Sequence, residues 1–174
     1  LSQRDCNVTV YPYDISYDEL MEQQPDGVIL SSGPGDPHQV KKLCRLIQKI
    51  NGQIPIWGMG LGAQVLAQAY GAELEVGHFG LNIPVREIAT GKIEITSQNH
   101  LYSIARDSLP HDLLVTHENV NDHSIEAFRH RYQPILGVQF QVDASPGPRE
   151  NLYFYDEFLE LIDAKIHESR REKE

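Results

Sequence analysis

The sequence has few cysteines, no long apolar run and no excess of positive charge. Its 174 residues include two cysteines, Cys6 and Cys44, too few for a disulfide framework, so a reducing cytoplasm is the expected compartment. No apolar stretch approaches the ~20 residues of a membrane-spanning helix, and no secretory signal is visible. The net charge of −10 and the pI near 5.2 argue against the basic face of a nucleic-acid-binding protein. We therefore expect neither nucleic acid nor a membrane as a partner.

The remaining composition is that of a globular protein. A hydrophobic fraction of 40% in 174 residues is enough for one domain with a substantial core. No repeat or linker interrupts the chain, so we predict one domain over residues 1–168 and a charged tail over 169–174. No His/Cys/Asp spacing suggests a metal, and no cofactor motif is present. His100 and His117 are expected to be structural, and Cys44 to be an inert core thiol.

Strand and helix signals alternate in the first third of the chain. Ser16 and Glu19 form a capping box that predicts a helix to about Gln24. Asn51-Gly52 marks the end of another helix, whose apolar residues recur at helical spacing. In order, we predict a strand at Val8 to Tyr11, the capped helix, a buried strand at Gly27 to Leu30, a turn at Ser31 to Pro37 and a helix at His38 to Ile50.

Short β segments dominate the second half, and turn clusters separate them. A long amphipathic helix then closes the chain from about Arg149 to His167. The predicted strands are Val85 to Ile88, Lys92 to Thr96, Leu113 to His117, Ile125 to Phe128 and Ile135 to Phe140.

The most informative stretch is Pro55 to Gln64, PIWGMGLGAQ. An apolar strand end runs through glycines at alternate positions into a helix-forming run. Such an elbow normally lifts one reactive side chain above the carboxyl edge of a parallel sheet, beside a backbone N–H that can hold an oxyanion. The raised position here is Gly60, which has no side chain. A plain tight turn and a phosphate-cradling loop are the alternatives, but no Lys-Ser/Thr follows to support a nucleotide site.

The elbow resembles the G-I-C-L-G-H-Q nucleophile elbow of class I glutamine amidotransferases, in which the Cys attacks the glutamine side-chain amide. In this sequence the Cys is replaced by Gly60 and the His by Ala63. The residues that match are Gly58, Leu61, Gly62 and Gln64.

Further stretches resemble one branch of that family, the small chain of carbamoyl-phosphate synthetase. They are GVQFQVD at 137–143 against G-V-Q-F-H-P-E, SSGPGDP at 31–37 against S-N-G-P-G-D-P, DASPGP at 143–148 against E-A-S-P-G-P, TSQNHLY at 96–102 against T-x-Q-N-H-G-F/Y, and GHFGLNIPV at 77–85 against G-H-R-G-A-N-H-P-V. The resemblance covers nearly the whole chain. It implies an α/β, Rossmann-like (flavodoxin-like) fold, with a mostly parallel central sheet flanked by helices and a small antiparallel β part.

The resemblance also assigns the catalytic positions, and this chain departs from them. Gly60 replaces the nucleophile, Gln141 replaces the His, and Asp143 replaces the Glu. Glycine offers no nucleophile, and a glutamine amide cannot carry protons near neutral pH. We therefore expect no glutamine hydrolysis. Asp143 has an equally good interpretation as a carboxylate at the start of a helix.

The glutamine-binding positions have changed less uniformly than the catalytic ones. Leu101 replaces a glycine whose backbone approaches the ligand, so its side chain should intrude on the pocket or force a different turn. By resemblance, the positions that hold glutamine or its oxyanion are Gly33, Gly35, Leu61, Gln64, Asn99, Leu101 and Tyr102.

The family's first strand is missing from this sequence, and Leu1 to Cys6 looks like the end of its first helix, so we expect a fragment of a longer polypeptide. The resemblance implies a role in arginine and pyrimidine biosynthesis. The leading expectation is a non-catalytic domain that docks on a large synthetase chain and supports or regulates it. The alternatives are an amidotransferase that works through non-standard residues, and a sensor of glutamine or a related small molecule in the former glutamine cleft.

Overall fold

The computed structural model describes residues 1–143 and 149–171. The helices are α1 Tyr17–Glu22, α2 Lys41–Ile50, α3 Leu61–Ala69 and α4 Tyr153–Arg171, with single 3-10 turns at Ser2–Arg4, Pro37–Gln39, Arg106–Ser108 and Arg149–Leu152. The strands are β1 Val28–Leu30, β2 Ile56–Met59, β3 Leu74–Val76, β4 Phe79–Glu87, β5 Ile93–Asn99, β6 Tyr102–Ile104, β7 Leu113–Asn119, β8 Ile125–His130 and β9 Ile135–Val138.

A seven-stranded sheet forms the centre, in the order β1-β2-β9-β8-β7-β4-β5. The α/β fold is as predicted, but the sheet is mixed rather than mostly parallel. Only β1 with β2 and β2 with β9 are parallel, and the other four pairings are antiparallel. The connections between the strands explain this difference. Parallel neighbours need a long crossover, usually a helix, whereas the strands after α3 are joined by turns without α-helices. A separate two-stranded sheet pairs β3 with β6.

Helices cover both faces of the parallel part of the sheet. Successive residues of a strand point to opposite faces, so Ile56 packs with α2 and α3 while Trp57 packs with α4. On the α4 side, the Trp57 ring meets Tyr155 edge-on, with 4.9 Å between ring centroids. The carboxyl ends of β2 and β9 therefore emerge from a rigid, three-layered core.

The predicted helix starts have clear causes in the structure. Ser16 Oγ accepts from the Glu19 N–H at 3.2 Å and Glu19 Oε2 accepts from the Ser16 N–H at 3.0 Å, which confirms the capping box. Helix α2 begins at Lys41 rather than His38, because the 3-10 turn at Pro37–Gln39 comes first. Asp36 caps that turn by accepting from the His38 N–H at 2.9 Å.

Some predicted boundaries were wrong. The segment Val8 to Tyr11 is not a strand, and Val10 is 88% exposed. A strand requires a hydrogen-bonded neighbour, and this segment has none among the described residues. Helix α4 continues to Arg171, so residues 169–171 of the predicted tail are helical, while 172–174 lie outside the described residues.

The described helices include none that is both long enough and apolar enough to cross a membrane.

Candidate functional site

Gly60 forms the apex of the elbow between β2 and α3. Its φ of 53° and ψ of −117° are rare for residues with a side chain, and its N–H donates to the Val138 carbonyl at 2.8 Å. A Cβ at this position would lie 2.7 Å from Ser32 Oγ. The predicted strand, turn and helix are confirmed, and Ser32 occupies the space into which a residue-60 side chain would rise.

The neighbouring glycines are required by close packing. A Cβ on Gly62 would lie 2.0 Å from the Leu30 carbonyl oxygen, and one on Gly58 would lie 2.6 Å from the Gly62 carbonyl oxygen. Backbone atoms cannot yield as a flexible side chain can. These glycines therefore let α3 sit directly against β1 and fix the direction of the elbow.

Two loops lie beside the elbow, and we call the region where the loops and the elbow meet the cleft. A Cβ on Gly33 would lie 3.7 Å from Leu61 Cδ2, which places the Ser31–Pro37 turn beside the start of α3. The His38 ring meets the Tyr102 ring edge-on, at 5.5 Å between centroids. The structure thus brings together the predicted positions at 33, 61, 64 and 102, while Asn99 and Leu101 are exposed at the tip of the Asn99–Tyr102 turn.

Gln64 makes structural hydrogen bonds in this arrangement. Its buried side-chain amide donates to the Tyr102 carbonyl at 2.5 Å and faces Gln139 Oε1 at 3.4 Å. Gln139 in turn donates to Ser103 Oγ at 3.2 Å and to the Ile125 carbonyl. These amides join α3 to β6, β8 and β9, and a direct contact of Gln64 with a ligand stays a prediction.

Leu101 is accommodated without a left-handed backbone conformation, and its side chain is 63% exposed. Its carbonyl accepts from the Gly77 N–H at 2.9 Å, and the His100 N–H donates to the His78 carbonyl at 3.0 Å. The turn is therefore anchored through its backbone. An effect of Leu101 on a bound ligand stays a prediction.

The other two positions of the expected triad lie beyond β9. Because Met59 and Val138 are partners in parallel strands, Gln141 and Gly60 lie at the same edge of the sheet. The Gln141 N–H donates to the Ser97 carbonyl at 2.9 Å, and Asp143 is exposed. With glycine at one position and an amide at another, the set contains neither a thiol nucleophile nor an imidazole base, and only the Asp143 carboxylate remains.

The cysteines do not compensate for this loss. Cys6 Sγ lies 3.5 Å from the Arg4 carbonyl oxygen, and Cys44 Sγ lies 3.9 Å from the Val65 carbonyl oxygen. Burial raises the pKa of the Cys44 thiol, which disfavours the reactive thiolate. Among the described residues, neither thiol is hydrogen-bonded to a histidine.

An acid–base pair at the cleft escaped the sequence analysis. His38 Nδ1 lies 2.7 Å from Asp36 Oδ1, and hydrogen bonds from the His38 backbone N–H and ring lower the pKa of that carboxyl. The His38 side chain is 53% exposed. The Asp-x-His spacing at the end of the glycine-rich turn could have indicated this pair. An aspartate that caps the start of a helical turn can also reach the ring of a histidine two residues later.

The buried histidines have structural partners, as predicted. His100 Nδ1 lies 2.7 Å from the Tyr102 carbonyl oxygen, and His117 Nε2 lies 2.9 Å from Tyr153 Oη. Burial lowers the pKa of both imidazoles, that of His100 to about 4. Within the described ranges, no group of three or more His, Cys, Asp or Glu side chains could hold a metal ion.

Comparison with known proteins supports the resemblance. The family model "Glutamine amidotransferase class-I" matches residues 1–161. Carbamoyl phosphate synthase small chains from Streptococcus mutans and Streptococcus pneumoniae are 51% and 48% identical over 166 residues. Each match covers 94% of this chain and 46% of the relative, so the chain spans about half the length of these curated relatives.

Solved structures agree on the fold. A protein from Thermoplasma acidophilum, assigned as part of a GMP synthase, matches with a TM-score of 0.73 and 24% identity, over 95% of this chain and 84% of that one. A glutamine amidotransferase from Thermotoga maritima matches with a TM-score of 0.59 and 17% identity, over 85% and 66% of the two chains. At these identities they show a shared flavodoxin-like α/β fold. Taken with the family model, they lead to one conclusion: the chain belongs to the class I glutamine amidotransferases.

Proposed function

We propose that this chain is a carbamoyl-phosphate synthetase small-chain-like domain that does not hydrolyse glutamine and acts as a structural or regulatory partner of an ammonia-using synthetase chain. The observation that carries the proposal is the apex of the elbow. Gly60 holds the strained backbone of a nucleophile position without a nucleophile, and Ser32 Oγ lies where the side chain would rise. The fold that presents the site is intact, while its chemistry is absent.

The proposed docking on a synthetase chain is supported by the contacts among the elbow and the two turns beside it. The Ser31–Pro37 turn, the elbow and the Asn99–Tyr102 turn still contact one another through Gly33, Leu61, His38 and Tyr102. A domain that keeps its loops but loses its reacting groups can still present a specific surface. The relatives are named as small chains of a synthase, so the partner we propose is the corresponding large chain.

The experiment combines activity and association. With this protein, ammonia release from glutamine should equal the uncatalysed background, both with and without a large synthetase chain. The Streptococcus mutans small chain serves as the active control. A pull-down should retain the large chain, and ammonia-dependent synthesis by that chain should change when this protein is added. Turnover that co-purifies through a second column would overturn the loss of catalysis, and absence of association would overturn the docking role.

A hydrolase or amidotransferase that works through other residues is the second candidate, because Asp36 and His38 form an acid–base pair beside Tyr102. Among the described residues, no nucleophilic side chain is hydrogen-bonded to His38. Any release of ammonia from glutamine, or any ester hydrolysis, by the parent protein should be compared with that of His38→Ala. Activity that His38→Ala abolishes would favour this candidate over the non-catalytic role.

A further inference from the structure

Glu126 is a fully buried carboxyl group on β8, outside the elbow site. Its Oε1 accepts from Asn119 Nδ2 at 3.1 Å, but Oε2 has no hydrogen-bond partner among the described residues. An ionised carboxylate with an unpaired oxygen in a protein core is costly. Burial raises the pKa of Glu126 to about 7, although Gln98, Asn119 and His78 favour the ionised form.

The charged groups that act on Glu126 belong to adjacent elements. His78 precedes β4 and Asp122 lies between β7 and β8, and the His78 Nε2 to Asp122 Oδ2 distance is 2.7 Å. Asp122 adds to the rise in the pKa of Glu126, whereas His78 opposes it. His78 Nδ1 is buried and unpartnered within the described residues, and the His78 ring centroid lies 5.6 Å from that of His100.

The hydrogen bonds of His100 cannot all form when the ring is neutral. Thr96 Oγ1 donates to the Ile83 carbonyl at 2.9 Å and accepts from Gln98 Nε2 at 3.2 Å, which turns Gln98 Oε1 towards His100. His100 Nε2 faces this oxygen at 3.1 Å and Nδ1 faces the Tyr102 carbonyl at 2.7 Å. Both partners are acceptors, and only an imidazolium donates with both nitrogens. Because burial lowers the pKa of His100 to about 4, the neutral ring forgoes one of these bonds.

These side chains form one group around the buried Glu126, with Asp122 at its exposed end, and we call it the Glu126 network. Its members are Glu126, Asn119, Gln98, His100, His78 and Asp122. The network is tied to the cleft through the backbone. The Gly77 N–H donates to the Leu101 carbonyl at 2.9 Å and the His100 N–H donates to the His78 carbonyl at 3.0 Å. One network residue, His100, therefore lies in the Asn99–Tyr102 turn and another, His78, is hydrogen-bonded to it, and the Tyr102 ring of the same turn contacts His38.

We propose that the Glu126 network is a proton-dependent switch on the Asn99–Tyr102 turn: the turn is held while Glu126 is protonated, and ionisation of Glu126 loosens it. The protonated acid is neutral and tolerates the buried site. The ionised acid needs a donor for Oε2, which it obtains when the structure opens to water or when Gln98 and His78 reorient. Either event disturbs the Gly77–Leu101 and His100–His78 backbone hydrogen bonds that anchor the turn, so the rim of the cleft becomes less ordered as the pH rises.

Hydrogen exchange at the Gly77 and His100 amides tests the switch, because both donate across the turn. Protection factors, corrected for intrinsic exchange, should be measured between pH 5 and 8 in the parent, Glu126→Gln and Glu118→Gln. Glu118 is a matched control on β7, with its carboxylate in ion pairs with Arg86 and Arg106. In the parent, we expect the protection factors to fall as the pH rises towards the midpoint near pH 7, by up to about tenfold per pH unit. This slope follows from linkage, because opening of the turn in this pH range releases one bound proton.

Glu126→Gln mimics the neutral acid, so its protection factors should stay constant with pH, while Glu118→Gln should behave like the parent. Constant protection in the parent, or an unchanged slope in Glu126→Gln, would overturn the switch. If Glu126→Gln fails to fold, the carboxyl ¹³C resonance of Glu126 in the parent protein decides instead. A midpoint near 7 that coincides with the loss of protection supports the switch, and a midpoint near the ordinary value of 4.5 overturns it.

Discussion

At the scale of single residues, the backbone conformation of Gly60 determines which residues the apex of the elbow can hold without strain. Its φ of 53° suits a glycine, and a residue with a Cβ would be strained there. The elbow itself could be predicted from the sequence, because the flanking glycines fix it, whereas the assignment of Gly60 to the family's nucleophile position stays a prediction. The contact with Ser32 could not, since nothing local in the sequence shows that two distant turns meet.

We expect Gly60→Ala to lower the free energy of unfolding. A strained backbone costs about 1 to 3 kcal/mol, against about 0.4 to 1 kcal/mol gained by restricting the unfolded chain, and the new Cβ also meets Ser32. Urea unfolding should compare Gly60→Ala with Gly91→Ala, because Gly91 also has a positive φ, of 74°, but nothing within 4 Å of a Cβ. The larger loss should belong to Gly60→Ala, and Ser32→Gly should recover part of it. Equal or greater stability of Gly60→Ala would show that the elbow is not strained.

Restoring one catalytic residue should not restore catalysis. Gly60→Cys supplies a thiol but leaves Gln141 in place of the base, and residues of a triad act as a unit. Ammonia release by Gly60→Cys should stay at background, and the Gly60→Cys/Gln141→His double variant should remain well below the Streptococcus mutans small chain. Full activity in the single variant would contradict this expectation.

At the scale of elements, helices with explicit signals were predictable and strands without them were not. The capping box of α1 and the elbow before α3 appeared as predicted, because each rests on local hydrogen bonds or local glycines. Strands β3 and β6 escaped prediction, since they are three residues each and exist only because they pair with each other. The segment at 8–11 failed for the opposite reason: it has strand-like residues but no partner among the described residues.

The packing of α3 on β1 predicts a large effect of a single methyl group. Gly62→Ala would place a Cβ 2.0 Å from the Leu30 carbonyl oxygen, so the helix must move away from the strand. Overpacking of this kind costs typically 1 to 3 kcal/mol and sometimes more, and we expect about 3 kcal/mol in urea unfolding. Gly33→Ala is the control, since Gly33 has no positive φ and its Cβ would make only an ordinary contact, 3.7 Å from Leu61 Cδ2. A milder loss for Gly62→Ala than for Gly33→Ala would contradict the packing.

His100 gives a pH dependence with a defined sign. Its pKa is about 4 in the folded protein and 6.5 in the unfolded chain, so between these values the unfolded chain binds more protons. The contribution of His100 to stability is therefore present above pH 6.5 and is lost as the pH falls to about 4, a change on the order of 3 kcal/mol. The difference in unfolding free energy between the parent and His100→Asn should shrink over this range. A difference that is constant with pH would show that His100 titrates normally.

At the scale of the whole molecule, the fold class could be predicted from the sequence, but the proportion of parallel and antiparallel pairings in the sheet could not. Short connections join the strands of the antiparallel pairs β4–β5, β7–β8 and β8–β9, whereas the pairings of β2 with β9 and of β4 with β7 depend on contacts between residues far apart in the chain. The same separation along the chain hid the contact between His38 and Tyr102, although Asp36 and His38 themselves are only two residues apart. The elbow and the two turns beside it could each be recognised in the sequence. The contacts that join them, such as those of Tyr102 with Gln64 and His38, could be seen only in the folded domain.

The assembled cleft should bind glutamine weakly or not at all. The Gln64 amide already donates to the Tyr102 carbonyl, and Leu101 stands at the turn where the family has glycine. A ligand at 100 times its Kd stabilises a protein by about 2.7 kcal/mol, which is about 5 to 10 °C in Tm for a domain of this size. With 10 mM L-glutamine we expect a Tm shift below about 1 °C in the parent. Leu101→Gly should gain a larger shift if Leu101 is the obstruction, and D-glutamine controls for non-specific effects. A shift of several degrees in the parent that is specific for L-glutamine would instead favour a sensor that uses the former substrate cleft.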